Sequence, residues 1–208
     1  IMPKTIPPRS KIEKKHTWNA ESVFKSAKEW EAELQGVLKD LPGIKKYQGN
    51  LGSSPETLLR ALQAMEALMK RAMKVYMYAA FSYSVDTTDQ KAVAMIGKAQ
   101  GMFGQVAGAT SFINPELLQI GKTTLDGWMK KNEKLGVYRQ SVRDLFRQQE
   151  HVRSSEVEEL LGMLSDPMSG ADNSTSMLVN ADFKFAPATD SKGKKIEITQ
   201  GNFYSSLL

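Results

Sequence analysis

Cysteine is absent from the 208 residues. That excludes a disulfide framework, a thiolate-bound zinc and a cysteine nucleophile, and it fits a reducing, cytoplasmic setting. Histidine is almost absent: His16 and His151 lie far apart in sequence, each in a charged stretch. A zinc hydrolase of the common type needs two histidines four apart on one helix, with a glutamate beside the first. Both histidines therefore read as surface or lightly buried residues. Long apolar runs are missing too. The longest charge-free stretch, Ala99 to Pro115, holds three glycines and two glutamines, too short and too polar to span a bilayer. No apolar segment follows the basic, proline-broken start, so no signal peptide is expected. The net charge of +5 does not point to nucleic acid, because residues 1 to 15 carry five cations against one acid and hold +4 of it. No basic stripe interleaved with aromatics accompanies it.

What remains is 41% hydrophobic and 25% charged, the balance of a globular chain. Most of it has helical period. A first short helix is expected near Glu21 to Lys25, and a second from Ser26, where Ser26 and Glu29 have capping-box spacing, to Pro42-Gly43. Ser54-Pro55-Glu56 reads as cap, first helical residue and favourable charge at a helix start. Beyond it Leu58, Leu62, Met65, Met69, Met73, Tyr76 and Ala80 form one predicted buried stripe, and the uncharged end from Val75 to Val85 is expected to be buried nearly all round. Thr87 and Gln90 suggest a box opening a helix over 88–111, and Ser155 and Glu158 suggest another. Three amphipathic helices are expected in "TTLDGWMKKN", "LGVYRQSVRDLFRQQ" and "SSEVEELLGMLS", and "DPMSGADNSTS" reads as a loop leading into a weak helix around Thr175 to Asn180. The final segment changes period. Phe183 and Phe185 alternate with polar residues, as do Ile196 and Ile198, around an Asp190–Gly193 turn. This predicts a hairpin with one buried face, then a helix capped by Thr199 in which Phe203, Leu207 and Leu208 share one side.

Few residues suggest chemistry. "GKTT" at Gly121 to Thr124 ends like a phosphate-binding loop, but position 116 is glutamate and a helix start precedes it, so a loop before a helix capped by Thr123 or Thr124 is expected instead. Gly97, Gly101, Gly104 and Gly108 lie on one helical stripe. Each costs about 0.8–1 kcal/mol against alanine, so close approach by another helix, such as the apolar end of the preceding one, is the expected compensation. The methionines read as core filler. No catalytic, metal-binding or cofactor-binding residue is nominated. The fold class is mainly α, a multi-helix bundle with a small C-terminal β-hairpin. The expected divisions are an extended basic lead-in over 1–18, a helical domain over 19–180, and the hairpin with the start of a further element over 181–208.

Several segments in order resemble one family: "HTWNAESVF", "YMYAAFSYSVDTTDQKAVAMIGKA", "ATSFINPEL", "YRQSVRDLFRQQEHVRSSEVEELLGMLS" and "NADFKFAPATDSKGKKIEITQGNFYSSLL". The chain is similar to the N-terminal region of oligoendopeptidase F, in the thimet-oligopeptidase-like group of zinc peptidases. The resemblance implies a non-catalytic portion of a larger, helical, channel-type zinc metalloendopeptidase that cleaves short oligopeptides. Its zinc would be held by a His-Glu-x-x-His segment that these residues lack, so none is expected to be bound here. The implied partners are oligopeptide substrate and a C-terminal catalytic region of the same polypeptide, without nucleic acid or membrane. The implied role is a wall of the substrate channel, and one hairpin strand either pairs with extended substrate or packs against the catalytic region. A free-standing helical module that binds peptides or partner helices is the alternative.

Overall fold

Ser26 begins the first long helix as its spacing predicts. In the computed structural model, which describes residues 11–149, 154–179, 183–189, 192–198 and 203, the Ser26 hydroxyl accepts the Glu29 N–H at 3.2 Å. The Glu29 carboxylate reaches back to the Lys25 N–H at 2.9 Å. The first bond satisfies a donor that the helix start leaves without an intrahelical partner, and the second ties the residue before the cap to the first turn. Among the described residues there are eight α-helices and one two-stranded sheet: α1 (Ala27–Lys45), α2 (Pro55–Val85), α3 (Gln90–Thr110), α4 (Ile113–Ile120), α5 (Lys122–Lys131), α6 (Glu133–Gly136), α7 (Arg139–Arg147), α8 (Ser155–Met177), β1 (Ala188–Thr189) and β2 (Lys195–Ile196). The mainly α bundle with a small C-terminal hairpin is thus the observed fold.

α1 runs past Pro42 to Lys45 rather than stopping there. A proline this close to the C-terminus disturbs little of the hydrogen-bond ladder, and buried Ile44 anchors the last turn. Ser54 caps α2 by accepting the Thr57 N–H at 3.1 Å, with Pro55 at the first position. α3 starts later than the Thr87–Gln90 box would place it. Asp86 accepts the N–H and hydroxyl of Thr88, which forms a turn, and Asp89 becomes the cap by accepting the Lys91 N–H. Gly121, at φ 87°, separates α4 from α5 with no loop between, so Thr123 and Thr124 lie inside α5 and cap nothing. The expected helix over 135–149 is split into α6 and α7 at Val137-Tyr138. α8 begins at Ser155 with Ser154 in the cap position, and it continues through Pro167 where a loop was expected.

α1, α2 and α3 supply most of the core, and a cap of α4 to α7 completes it with Ile113, Leu117, Leu125, Met129, Leu135 and Val142. Trp30, 1% exposed, lies between α1 and α2 and donates its indole N–H to the Val75 carbonyl at 2.9 Å. On α2 the buried positions are Leu58, Ala61, Leu62, Leu68, Ala72, Val75 and Ala79. The predicted stripe is therefore rotated. Met65, Met69 and Tyr76 are half-buried, and Met73, Met77, Phe81 and Val85 are exposed. The small alanines let α2 approach α1 and α3 closely, and the larger methionines are turned to the flank. The segment before α1 crosses the same helix: Trp18 meets Tyr78 and Phe81 edge-on, and Phe24 meets Tyr78.

Polar ties fix the helix angles. Arg71 of α2 donates to Glu33 at 2.6 Å and pairs with Asp40, both on α1. Lys98 of α3 pairs with Glu31 of α1 at 2.8 Å. Glu116 of α4 accepts the N–H groups of Gly49 and Leu51, which holds the α1–α2 connection against the cap. β1 and β2 pair antiparallel, with Ala188 opposite Ile196 and Thr189 opposite Lys195. The ladder is shorter than expected. Phe183 and Phe185 lie before it and are exposed, so the hairpin has no face buried by them. Asp190, Thr199, Leu207 and Leu208 lie outside the described residues.

Candidate functional site

α2 and α8 both pack on α3 but meet each other little, and this leaves a furrow between them. Its walls are Met65, Met69 and Met73 of α2 and Leu161 and Gly162 of α8, and its floor includes Ala107 and Thr110 of α3. One end is closed by Ile113 and Leu117 of α4 and Leu145 of α7. The cavity encloses about 990 Å³, the volume class of a site for a sizeable ligand.

The lining is mainly apolar, with a polar rim. Glu66 pairs with Lys70 at 2.7 Å and accepts the Tyr138 hydroxyl at 3.0 Å. The hydrogen bond from Lys70, then that from Tyr138, hold the Glu66 carboxyl below its ordinary range. Burial, then the neighbouring carboxylate, raise the Tyr138 phenol. Thr110 and Ser111 spend their hydroxyls on the Val106 and Gly108 carbonyls of their own helix. This rim can orient a ligand. Lys70 holds one Glu66 oxygen and Tyr138 the other.

The sequence-derived candidates do not assemble into a site. His16 is exposed in a 3-10 turn, and His151 lies outside the described residues. Gly121 follows a helix rather than a strand. Among the described residues no three His, Cys, Asp or Glu side chains are grouped to hold a metal ion. The glycine stripe of α3 behaves differently from expectation. A Cβ on Gly97, Gly101, Gly104 or Gly108 would meet nothing within 4 Å. The close approach is made instead by Gly162 of α8, where a Cβ would sit 3.3 Å from the backbone of Ala107 and Gly108. Gly101, Gly104 and Gly108 form the floor of a second recess, of about 390 Å³, between α1, α3 and α8. Lys45 and Glu159 bridge two of its sides at 3.4 Å.

A family model described as Oligopeptidase F, for the N-terminal part of M3 peptidases, matches residues 116–185, from α4 through α8. Similarity to whole relatives extends much further. The oligopeptidase PepF of Bacillus subtilis is 32% identical over 202 residues, 97% of this chain and 30% of its own length. The group B oligopeptidase PepB of Streptococcus agalactiae is 32% identical over 199 residues, 96% of this chain and 33% of its own. This chain corresponds to the N-terminal region of the oligoendopeptidase F family. The crystal structure of oligoendopeptidase-F from Enterococcus faecium shares the fold, with a TM-score of 0.77 at 24% identity over 85% of this chain and 35% of that one. The chain spans about a third of the length of the oligoendopeptidase F relatives it matches. The furrow belongs partly to the family-matched segment, since α4, α7 and α8 supply its closed end and one wall.

Proposed function

We propose that this chain is the non-catalytic N-terminal portion of a zinc metalloendopeptidase that hydrolyses short oligopeptides, and that the furrow between α2 and α8 contributes a wall of its substrate channel. The observation that carries this reading is a large apolar furrow on a chain whose relatives are named oligopeptidases and are about three times as long. Such a wall limits access by shape and leaves the chemistry to other residues. In the full polypeptide, zinc would supply polarisation of the scissile carbonyl and activation of water. The described residues of this chain do not fit a zinc site, so no catalytic step is assigned to them. The partners are then oligopeptide substrate and the remaining two thirds of the same polypeptide, in the cytoplasm. No helix among the described residues is long and apolar enough to cross a membrane.

The test is hydrolysis of an internally quenched short peptide. The pure 208-residue chain should give no turnover with or without zinc, and the full-length polypeptide should give chelator-sensitive turnover. Zinc-dependent turnover by the chain alone would overturn the proposal. Met69→Lys in the full-length polypeptide should raise KM with zinc content unchanged, because the charge enters the furrow wall. Unchanged KM would remove the furrow from the substrate path.

A further inference from the structure

α8 is built the wrong way round for a helix whose only neighbours are those described. An amphipathic surface helix turns its apolar stripe to the core. The α8 stripe of Val157, Leu160, Leu164 and Met168 follows a spacing of three and four, and these side chains are 41%, 57%, 39% and 74% exposed. The side that rests on α3 carries Gly162, against the Ala107–Gly108 backbone, flanked by half-buried Glu158 and Glu159. At 3.6 residues per turn, Gly162 lies roughly opposite the stripe. Among the described residues, the core and the half-buried apolar side chains packed against it run from Val23 to Phe146 and include none from α8.

We propose that α8 is the seam between this region and the remainder of the polypeptide, with its Val157–Leu160–Leu164–Met168 stripe docked on an apolar face of that remainder. The inference rests on the reading of the chain as part of a longer peptidase. Two observations select this occupant. The relatives of which this chain spans 30% and 33% are long enough to supply the missing mass. A second copy is less suitable: the stripe is only about 17 Å long at 1.5 Å per residue, and a contact confined to it falls short of the roughly 1,000 Å² that a stable association between separate chains needs. A face already tethered in the same polypeptide does not have to meet that threshold.

Hydrogen exchange on the 208-residue chain and on the full-length polypeptide tests the seam. In the 208-residue chain, α8 amides should exchange about a hundredfold faster than core amides of α2 and α3, and the full-length polypeptide should slow them by about that factor. Leu160→Ser with Leu164→Ser, or Met168→Ser alone, should restore fast exchange in α8 of the full-length polypeptide while α2 and α3 stay protected. That retained protection shows that the variants fold. Equal protection of α8 and α3 in the 208-residue chain would overturn the proposal. So would full-length protection no greater than in the 208-residue chain, or protection that rises with that chain's own concentration. Peptide turnover is read separately. Protected α8 without turnover supports the seam and defeats the peptidase reading, whereas turnover with unprotected α8 defeats the seam alone.

Discussion

Replacing Glu116 by glutamine removes the charge and one of the two acceptor oxygens that join the cap to the core. The carboxylate receives the N–H of Gly49 and, at 3.2 Å, that of Leu51, whose side chain is fully buried. A hydrogen bond to a charged group contributes about 1.5–3 kcal/mol, and a neutral one about 0.5–1.5 kcal/mol. Glutamine keeps one oxygen for one donor and turns its NH2 group toward the other. Because Gly49 is exposed and water can serve it, the lower end applies, and the cost is about 2 kcal/mol. For a chain of this length, 1 kcal/mol moves the midpoint by about 2–4 °C, so thermal unfolding followed by circular dichroism should shift down by about 4–8 °C. Glu116→Ala should lose more. α4 also carries Ile113 and Leu117, which close the end of the furrow, so loosening it should increase binding of an apolar dye at temperatures below the transition. A shift of under about 1 °C for Glu116→Gln would refute the view that this carboxylate holds the cap in place.

Trp30→Phe loses the indole bond to Val75 and leaves part of a fully packed site empty; it should cost about 2 kcal/mol in urea unfolding, and a cost below about 0.5 kcal/mol would mean that the site collapses freely. Gly162→Val should lift α8 off the α3 backbone, so a glutamate-specific protease should cut at Glu156, Glu158 or Glu159 of the 208-residue chain about tenfold faster, with the main thermal transition unchanged. Acidification should destabilise the fold. Hydrogen bonds from Lys98, then Gln35, lower the Glu31 carboxyl from its ordinary 4.5, so its stabilisation is complete above the unfolded-state value and is lost as pH falls through the lower folded-state value. Lys98→Met should flatten the loss of midpoint temperature below about pH 4.5, and an unchanged slope would remove the pair from the acid response.

Helix starts were legible wherever a local rule decides them. Ser26 and the Ser54-Pro55 pair cap as their spacing indicates, because capping involves residues three apart. Thr87 failed where two side chains competed: Asp86 took Thr88 into a turn and left Asp89 to cap. On α2 the size of the apolar side chains does not mark the buried face. Ala61, Ala72 and Ala79 face the core, and only the positions of α1 and α3 reveal that small residues are needed there. The pattern around Pro167 points to a helix end, yet α8 continues through it; a proline weakens a helix without always ending it. The furrow could not be read from sequence at all. Its lining comes from five helices spread over about 100 residues, and no local pattern encodes which of them converge. The inverted amphipathicity of α8 was hidden likewise: its stripe is plain in the sequence, and only the structure shows that it faces away from α3.

The placement of the three tryptophans governs what light can report about this protein. Trp30 is sealed between α1 and α2, Trp18 and Trp128 are half-buried, and none lies beyond residue 128. Emission will therefore follow melting of the core and its cap, and it will be blind to α8. A preparation whose seam helix has come away can give an unaltered spectrum and pass as intact.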